Sequence, residues 1–385
     1  MGLAPMAVVQ IPFAHKHGVG PLATVSTTGG RVLLISVSKD GIRRWDAVTG
    51  TPLGHYPDSG SLGAFDLAVA RLPAGRVALA AAGEDGVACW DAVTGLTMPA
   101  PAGVQGRTIW SVAAGELPDG RLMLAGAGND WKVYRWDAVT GEQLGPPLAG
   151  HTSSVKAVTV LRLPDGSVMI ASAGDDCTVR RWNAVAGSPL GPPMERHRNW
   201  VTRLAVPPMP SGMTLLASCD TGDTGGVVQR WDPSNGTPVG LPWRAHRGWG
   251  AGLIAARIAG RPELITVGLE DEVIRRWDAR TAELTDESLT GQSIAVFDAP
   301  GGTAMIAVGA RNGSITIQPL QPPPDHPRRP SAHSGDLAAA RTPSAQPCQL
   351  VSHERHTNET CPGNAEASGL PPGIWPLYAY LPPNR

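Results

Sequence analysis

A histidine, a serine and an aspartate stand in one order and spacing at two places in this chain. They are His15, Ser36 and Asp40, then His151, Ser172 and Asp176. Those residue types could build a hydrolytic relay, in which a carboxylate orients an imidazole that activates a hydroxyl. His197 and Ser218 repeat the 21-residue step, and His246 and Asp271 keep two members with Val267 at the hydroxyl phase. Other groups have the makings of metal ligands. Cys348, His353, His356 and Cys361 lie within 14 residues, though at no common zinc-finger spacing. Asp220 and Asp223 share a glycine-rich loop that could take calcium, and His15 and His17 flank Lys16.

The tryptophans that accompany these residues argue for a different use. Trp45, Trp90, Trp136, Trp182, Trp231 and Trp277 mark phrases such as RRWDAVTG and RWNAVAG at steps of 45, 46, 46, 49 and 46 residues. A decayed seventh copy, NGSITIQPL, places Ile317 at the marker phase. A period of about 40–45 residues ending in Trp-Asp marks a propeller of four-stranded blades. Within one unit, KAVTVLRL, VMIASAG and TVRRWNA read as three strands joined by an Asp-Gly turn and a tight Asp175–Asp176 turn, with SPLGPP as an outer fourth. The serine then sits inside a packed strand, away from any substrate. A structural role is the reading.

These phrases resemble the WD-repeat β-propeller family over roughly residues 6–320, in the WDAVTG form of its bacterial members. The resemblance implies a closed, all-β, seven-bladed ring of antiparallel four-stranded blades. It also implies a buried hydrogen-bonded set of His, Ser or Thr, Asp and Trp in each complete blade. His15, Ser36, Asp40 and Trp45 fill one set, and His151, Ser172, Asp176 and Trp182 another. His197, Ser218 and Trp231 supply part of a third, and His246, Asp271 and Trp277 part of a fourth. Gly60 and Ala81, and Gln105 and Gly126, stand at the His and Ser phases of the second and third units. The seventh unit lacks an outer strand, and AVVQIPF at 7–13 can supply it, so that the N-terminus closes the ring.

Arg precedes the marker Trp at 44, 135, 181, 230 and 276, with Asp46, Asp137, Asp232 and Asp278 two residues on. An arginine between blades needs a partner, so a ring of inter-blade ion pairs is expected. After Leu320 the composition shifts: residues 321–385 hold 13 of the 37 prolines and read as a disordered tail beside a propeller of residues 1–320.

Bulk properties narrow the function. The net charge of −1 gives no footprint for nucleic acid or an anionic membrane. Five cysteines without a CxxC pair read as reduced thiols in a soluble, cytoplasmic protein. No phosphate loop, nucleophile elbow or cofactor motif is present, so no enzyme activity and no cofactor is expected. The face bearing the inter-blade loops and tight turns is the usual binding surface in the family the chain resembles. Trp110, Trp131, Trp200 and Trp249 lie there, and Lys39, Glu84, Asn129, Asp175, Glu270 and Arg311 precede the turn Asp or its equivalent. Mixed signs with tryptophan suit a protein partner. The expectation is a non-enzymatic scaffold; the alternative is an enzyme or small-ligand binder using the central channel.

Overall fold

The computed structural model of the protein describes residues 8–27, 29–210, 212–221, 226–247 and 250–320. The Pro-rich stretch with its Cys and His cluster, and Asp223 and Trp249, lie outside that set. Seven antiparallel sheets follow one another along the chain. The fourth shows how a blade forms. Val155–Arg162, Val168–Gly174, Thr178–Asn183 and Met194–Glu195 pair in order. Gly166 makes the first hairpin at φ +84°, donating its N–H to the Leu163 carbonyl at 2.9 Å. Val168–Gly174 is buried along its whole length, because both faces of a blade meet neighbouring blades. The outer strand departs from a continuous SPLGPP. Pro189 bridges Trp182, the chain bulges at 191–193, and pairing resumes between Met194 and Val179. In the second blade the outer strand shrinks to a bridge between Trp90 and Thr97.

Seven apolar clusters fill the seven joints between blades. Each marker tryptophan packs toward the blade before it, as Trp182 does with Leu148, Val158 and Ile170. The ring closes through the N-terminus: Val9–Ile11 pairs with Ile315–Pro319 in the register Val9↔Ile317, Gln10↔Thr316, Ile11↔Ile315. A closed ring leaves no first or last blade with a bare face.

The seventh blade corrects one expectation. Ile306 pairs with Gln318, as Ile170 pairs with Trp182, so Gln318 holds the marker position. Ile317 holds the phase of the preceding arginine and packs in the closing cluster with Ile11 and Trp45. The cause is a tight turn of the fourth blade's length, one residue longer than the first blade's.

Among the described residues no helix is long and apolar enough to cross a membrane. Cys89 and Cys219 are free and buried, and burial raises the Cys89 thiol to about 12. Cys177 departs from the expectation of reduced thiols: it is disulfide-bonded.

Candidate interaction face and the networks beneath it

Beneath the loop face, four blades carry a complete hydrogen-bonded set. In the fourth, His151 Nδ1 lies 2.8 Å from Asp176 and its Nε2 lies 2.7 Å from Ser172 Oγ, which also accepts the Trp182 indole N–H at 2.8 Å. The first blade matches it, with His15 at 2.5 Å from Asp40 and 2.8 Å from Ser36, and Trp45 donating to Ser36 at 2.8 Å. Ser36, Ser172 and Ser218 have no solvent exposure. The hydroxyl that a relay would need as a nucleophile is therefore sealed under the indole. Burial pushes the His15 imidazole below its ordinary value, despite the Asp40 bond that opposes it. Burial alone would raise Asp40, but the Lys16 N–H and His15 outweigh it and hold the carboxyl low.

The fifth and sixth blades are more complete than their sequences suggest. Asp220 supplies the carboxylate of the fifth, 2.9 Å from His197 Nδ1, while Ser218 lies 2.6 Å from His197 Nε2 and accepts from Trp231 at 2.7 Å. Asp220 is thus committed to the fold and not to a cation. In the sixth, the hydroxyl comes from Thr266, not from the Val267 phase. Thr266 Oγ1 is 2.8 Å from His246 Nε2 and accepts from Trp277 at 2.9 Å, while Asp271 lies 3.3 Å from His246. Thr266→Val should cost about 2–3 kcal/mol, since it strands two buried donor or acceptor atoms at once. Val267→Ala should cost about 1 kcal/mol by truncation alone. Chemical denaturation of both variants checks the order; a larger loss at Val267 would contradict it.

The second and third blades solve the same problem differently. Trp90 donates to the Pro57 carbonyl at 3.2 Å and Trp136 to the Ala102 carbonyl at 2.9 Å. A side chain at Gly126 would meet the Trp136 ring, which stacks on Tyr134 at 5.5 Å. The Tyr134 hydroxyl then takes the turn, donating to Asp130 at 2.5 Å.

Four of the arginines before the markers join neighbouring blades, but not by ion pairs. Arg135 Nη1 donates to the carbonyls of Ala184 and Val185 in the next blade, both at 2.9 Å. Arg181 reaches Pro233 at 3.0 Å and Ser234 at 2.9 Å. Arg44 donates to Val93, and Arg230 to Ala279 and Arg280. Every acceptor in the next blade is the second or third residue after that blade's marker tryptophan. The expected Asp partners are occupied in their own turns, as Asp137 is by the N–H groups of Val139 and Thr140 at 2.9 and 3.0 Å. Arg276 is the exception, held within its blade by Glu263 at 2.7 and 2.9 Å. Burial lowers the Arg135, Arg181 and Arg230 guanidiniums from their usual range.

The loop face itself shows which tryptophans a partner could reach. Trp131 is 52% exposed at the tip of the third blade's tight turn. Its φ is +68°, at the position after the turn Asp that Gly41, Gly86 and Gly313 fill in other blades. Trp200 is half-buried at the start of Trp200–Ala205. Trp110 departs from its expectation: it is buried within Ile109–Glu116, with Phe65 at 4.8 Å and the Lys156 ammonium 3.8 Å over its ring. Phe13, assigned by sequence to the closing strand, lies beyond the strand end at Ile11, 86% exposed at φ +56°.

The repeat family described as WD domain, G-beta repeat matches residues 142–183, which contain the set from His151 to Trp182. That match covers one repeat in a ring of seven antiparallel blades. The chain is a WD-repeat β-propeller. A comparison with curated proteins found no match. WD-repeat propellers commonly serve as protein-interaction scaffolds and are typically non-catalytic.

In this WD-repeat propeller a channel of about 450 Å³ runs between the first strands. Its walls are mainly aliphatic, with Asp66 and Arg203 among the polar residues. Asp66 accepts from Ser111 at 2.7 Å, from Val112 N–H at 3.1 Å and from Leu67 N–H at 2.9 Å. Ser111 in turn accepts the Val158 N–H at 3.2 Å, so one carboxylate laces three blades. Burial raises the Asp66 carboxyl against those bonds. On the rim of the face, adjacent carboxylates diverge. Burial raises Asp175 to about 6, opposed by Lys156 at 3.5 Å, while the bonds to Asp176 hold it low. A raised carboxyl keeps its proton longer in the fold than in the unfolded chain, so this group's contribution to stability declines as pH rises from about 4 to about 6. Carboxyl NMR should find Asp175 titrating near pH 6 and Asp176 below about 3.8; overlapping titrations would contradict the assignment.

Proposed function

We propose that the propeller is a non-enzymatic scaffold that docks a partner protein on the face of inter-blade loops and tight turns. The scaffold is the unit of residues 1–320, and residues 321–385 are an appended tail. One observation carries the reading. Phe13 and Trp131 are large, exposed aromatics held in left-handed backbone on that face, where a side chain costs about 1–2 kcal/mol. Glycine fills the same turn position in the first, second and seventh blades, and Cys177 and Glu272 fill it at positive φ in the fourth and sixth, so the exposed indole is what sets Trp131 apart. Large exposed aromatics on one loop face point to recognition. The alternative, a small ligand in the channel, would act through Asp66, whose oxygens already bind three donors within the protein.

Affinity capture with the whole chain tests the reading, using wild type and a Phe13→Ala, Trp131→Ala variant of unchanged melting temperature. A client retained by the first and lost by the second supports it. A client retained equally by both moves binding off this face.

A further inference from the structure

Four arginines set one sector of the loop face apart. Arg196 and Arg198 flank the buried His197 on the loop leading into the fifth blade; Arg244, at the end of that blade's outer strand, and Arg247, on the loop into the sixth, bracket His246. All four are exposed, and none forms an ion pair or a side-chain hydrogen bond among the described residues. Four other arginines of the face are engaged. Arg43 holds Asp40 at 2.9 Å, Arg107 holds Asp130 at 3.1 Å, Arg275 holds Asp271 at 2.7 Å, and Arg311 donates to the Leu269 carbonyl at 2.8 Å.

The blade architecture brings the unengaged group together. Arg198 and Arg247 occupy one phase, immediately after the buried histidine, on adjoining blades. A histidine fixed on both ring nitrogens anchors each loop, so the arginines beside it are presented from a rigid base. Trp200 lies two residues beyond Arg198, half-buried, and its indole makes no ring contact or hydrogen bond among the described residues. Among the described residues, two carboxylates near the group are already spent. Asp220 is buried against His197, and Asp271 is taken by His246 and Arg275. Glu195, beside Arg196, is exposed.

We propose that this sector binds an acidic segment of the partner protein, with aspartate or glutamate side chains on the four arginines and an apolar residue against Trp200. The inference rests on the loop-face reading above and adds the partner's chemistry. Guanidinium groups match carboxylates in a bidentate fork, and Arg with Trp is the usual composition of an interface hot spot. The chain as a whole is nearly neutral, so a local excess of unpaired cations gives selectivity that bulk charge would not.

The test is fluorescence anisotropy of the whole chain with a labelled Glu/Asp-rich peptide carrying a central leucine. A peptide with lysine at every acidic position is the control. Saturable binding of the acidic peptide alone is expected at about 50 mM salt, weakening at least ~10-fold at about 300 mM. The Arg198→Glu, Arg247→Glu variant should bind at least ~10-fold more weakly, while Arg261→Glu, on the opposite face, should bind as wild type. Absence of binding at low salt, equal binding by the double variant, or equal weakening by Arg261→Glu would overturn the proposal. If the peptide fails while the aromatic variant still loses its client in capture, only the acidic chemistry falls and the loop-face reading stands.

Discussion

Arg181→Leu should destabilise the propeller by about 2–3 kcal/mol, seen as a lower midpoint in urea. Arg181 is 5% exposed, and burial already disfavours its charge. Its Nε has no hydrogen-bond partner, so leucine would relieve a real penalty. The two carbonyls at Pro233 and Ser234 decide the sign. They accept from Arg181 at 3.0 and 2.9 Å, and leucine removes only the donor. Replacing both partners of a buried polar pair can be neutral, whereas removing one leaves the other stranded. The shape of the joint adds to this. Gly236, at φ +80°, ends the turn that receives Arg181, and a side chain there would meet the guanidinium at 2.8 Å. Leucine cannot follow the same path to the next blade. Since a repeat array is stabilised largely between neighbours, the loss falls on the joint between the fourth and fifth blades. A raised midpoint would mean that desolvation outweighs the carbonyl bonds.

Trp131→Gly should move stability and binding in opposite directions. Relief of the left-handed backbone returns about 1–2 kcal/mol, and the freer unfolded chain offsets about half of it. The indole is 52% exposed, so little packing is lost. The net expectation is a gain of roughly 0.5–1 kcal/mol in stability, with a loss of client affinity of at least about 2 kcal/mol. A destabilised variant would show that the indole supports its own blade. Unchanged client affinity would remove Trp131 from the interface.

The propeller was legible in the sequence because its markers are side chains at a fixed period. Closure by the N-terminal strand followed, since only the seventh unit lacked an outer strand. Features that depend on hairpin length were less legible. Thr266 lies 20 residues from His246, where the other blades use 21, because only Ala259 and Gly260 join the first two strands of the sixth blade. Cross-strand register is the better ruler, as Thr266 stands two residues past Leu264, the partner of Trp277. Asp220 escaped for a related reason: it sits in the second strand, two residues from Ser218, rather than in a turn.

The arginine joints were misread because the sequence displays carboxylates and hides carbonyls. Asp46, Asp137, Asp232 and Asp278 were near in sequence but were already binding their own turns. Trp110 and Phe13 were exchanged in role by strand boundaries. One lies inside a strand that begins at Ile109, the other just past a strand that stops at Ile11.

Hydrogen exchange of the propeller with and without its captured client tests the central claim most directly. Binding on the loop face predicts slowed exchange at 12–18, 129–132 and 196–200, with no change in the turns at 91–95, 137–141 and 183–187 on the opposite face. Slowed exchange confined to those opposite turns would contradict the account.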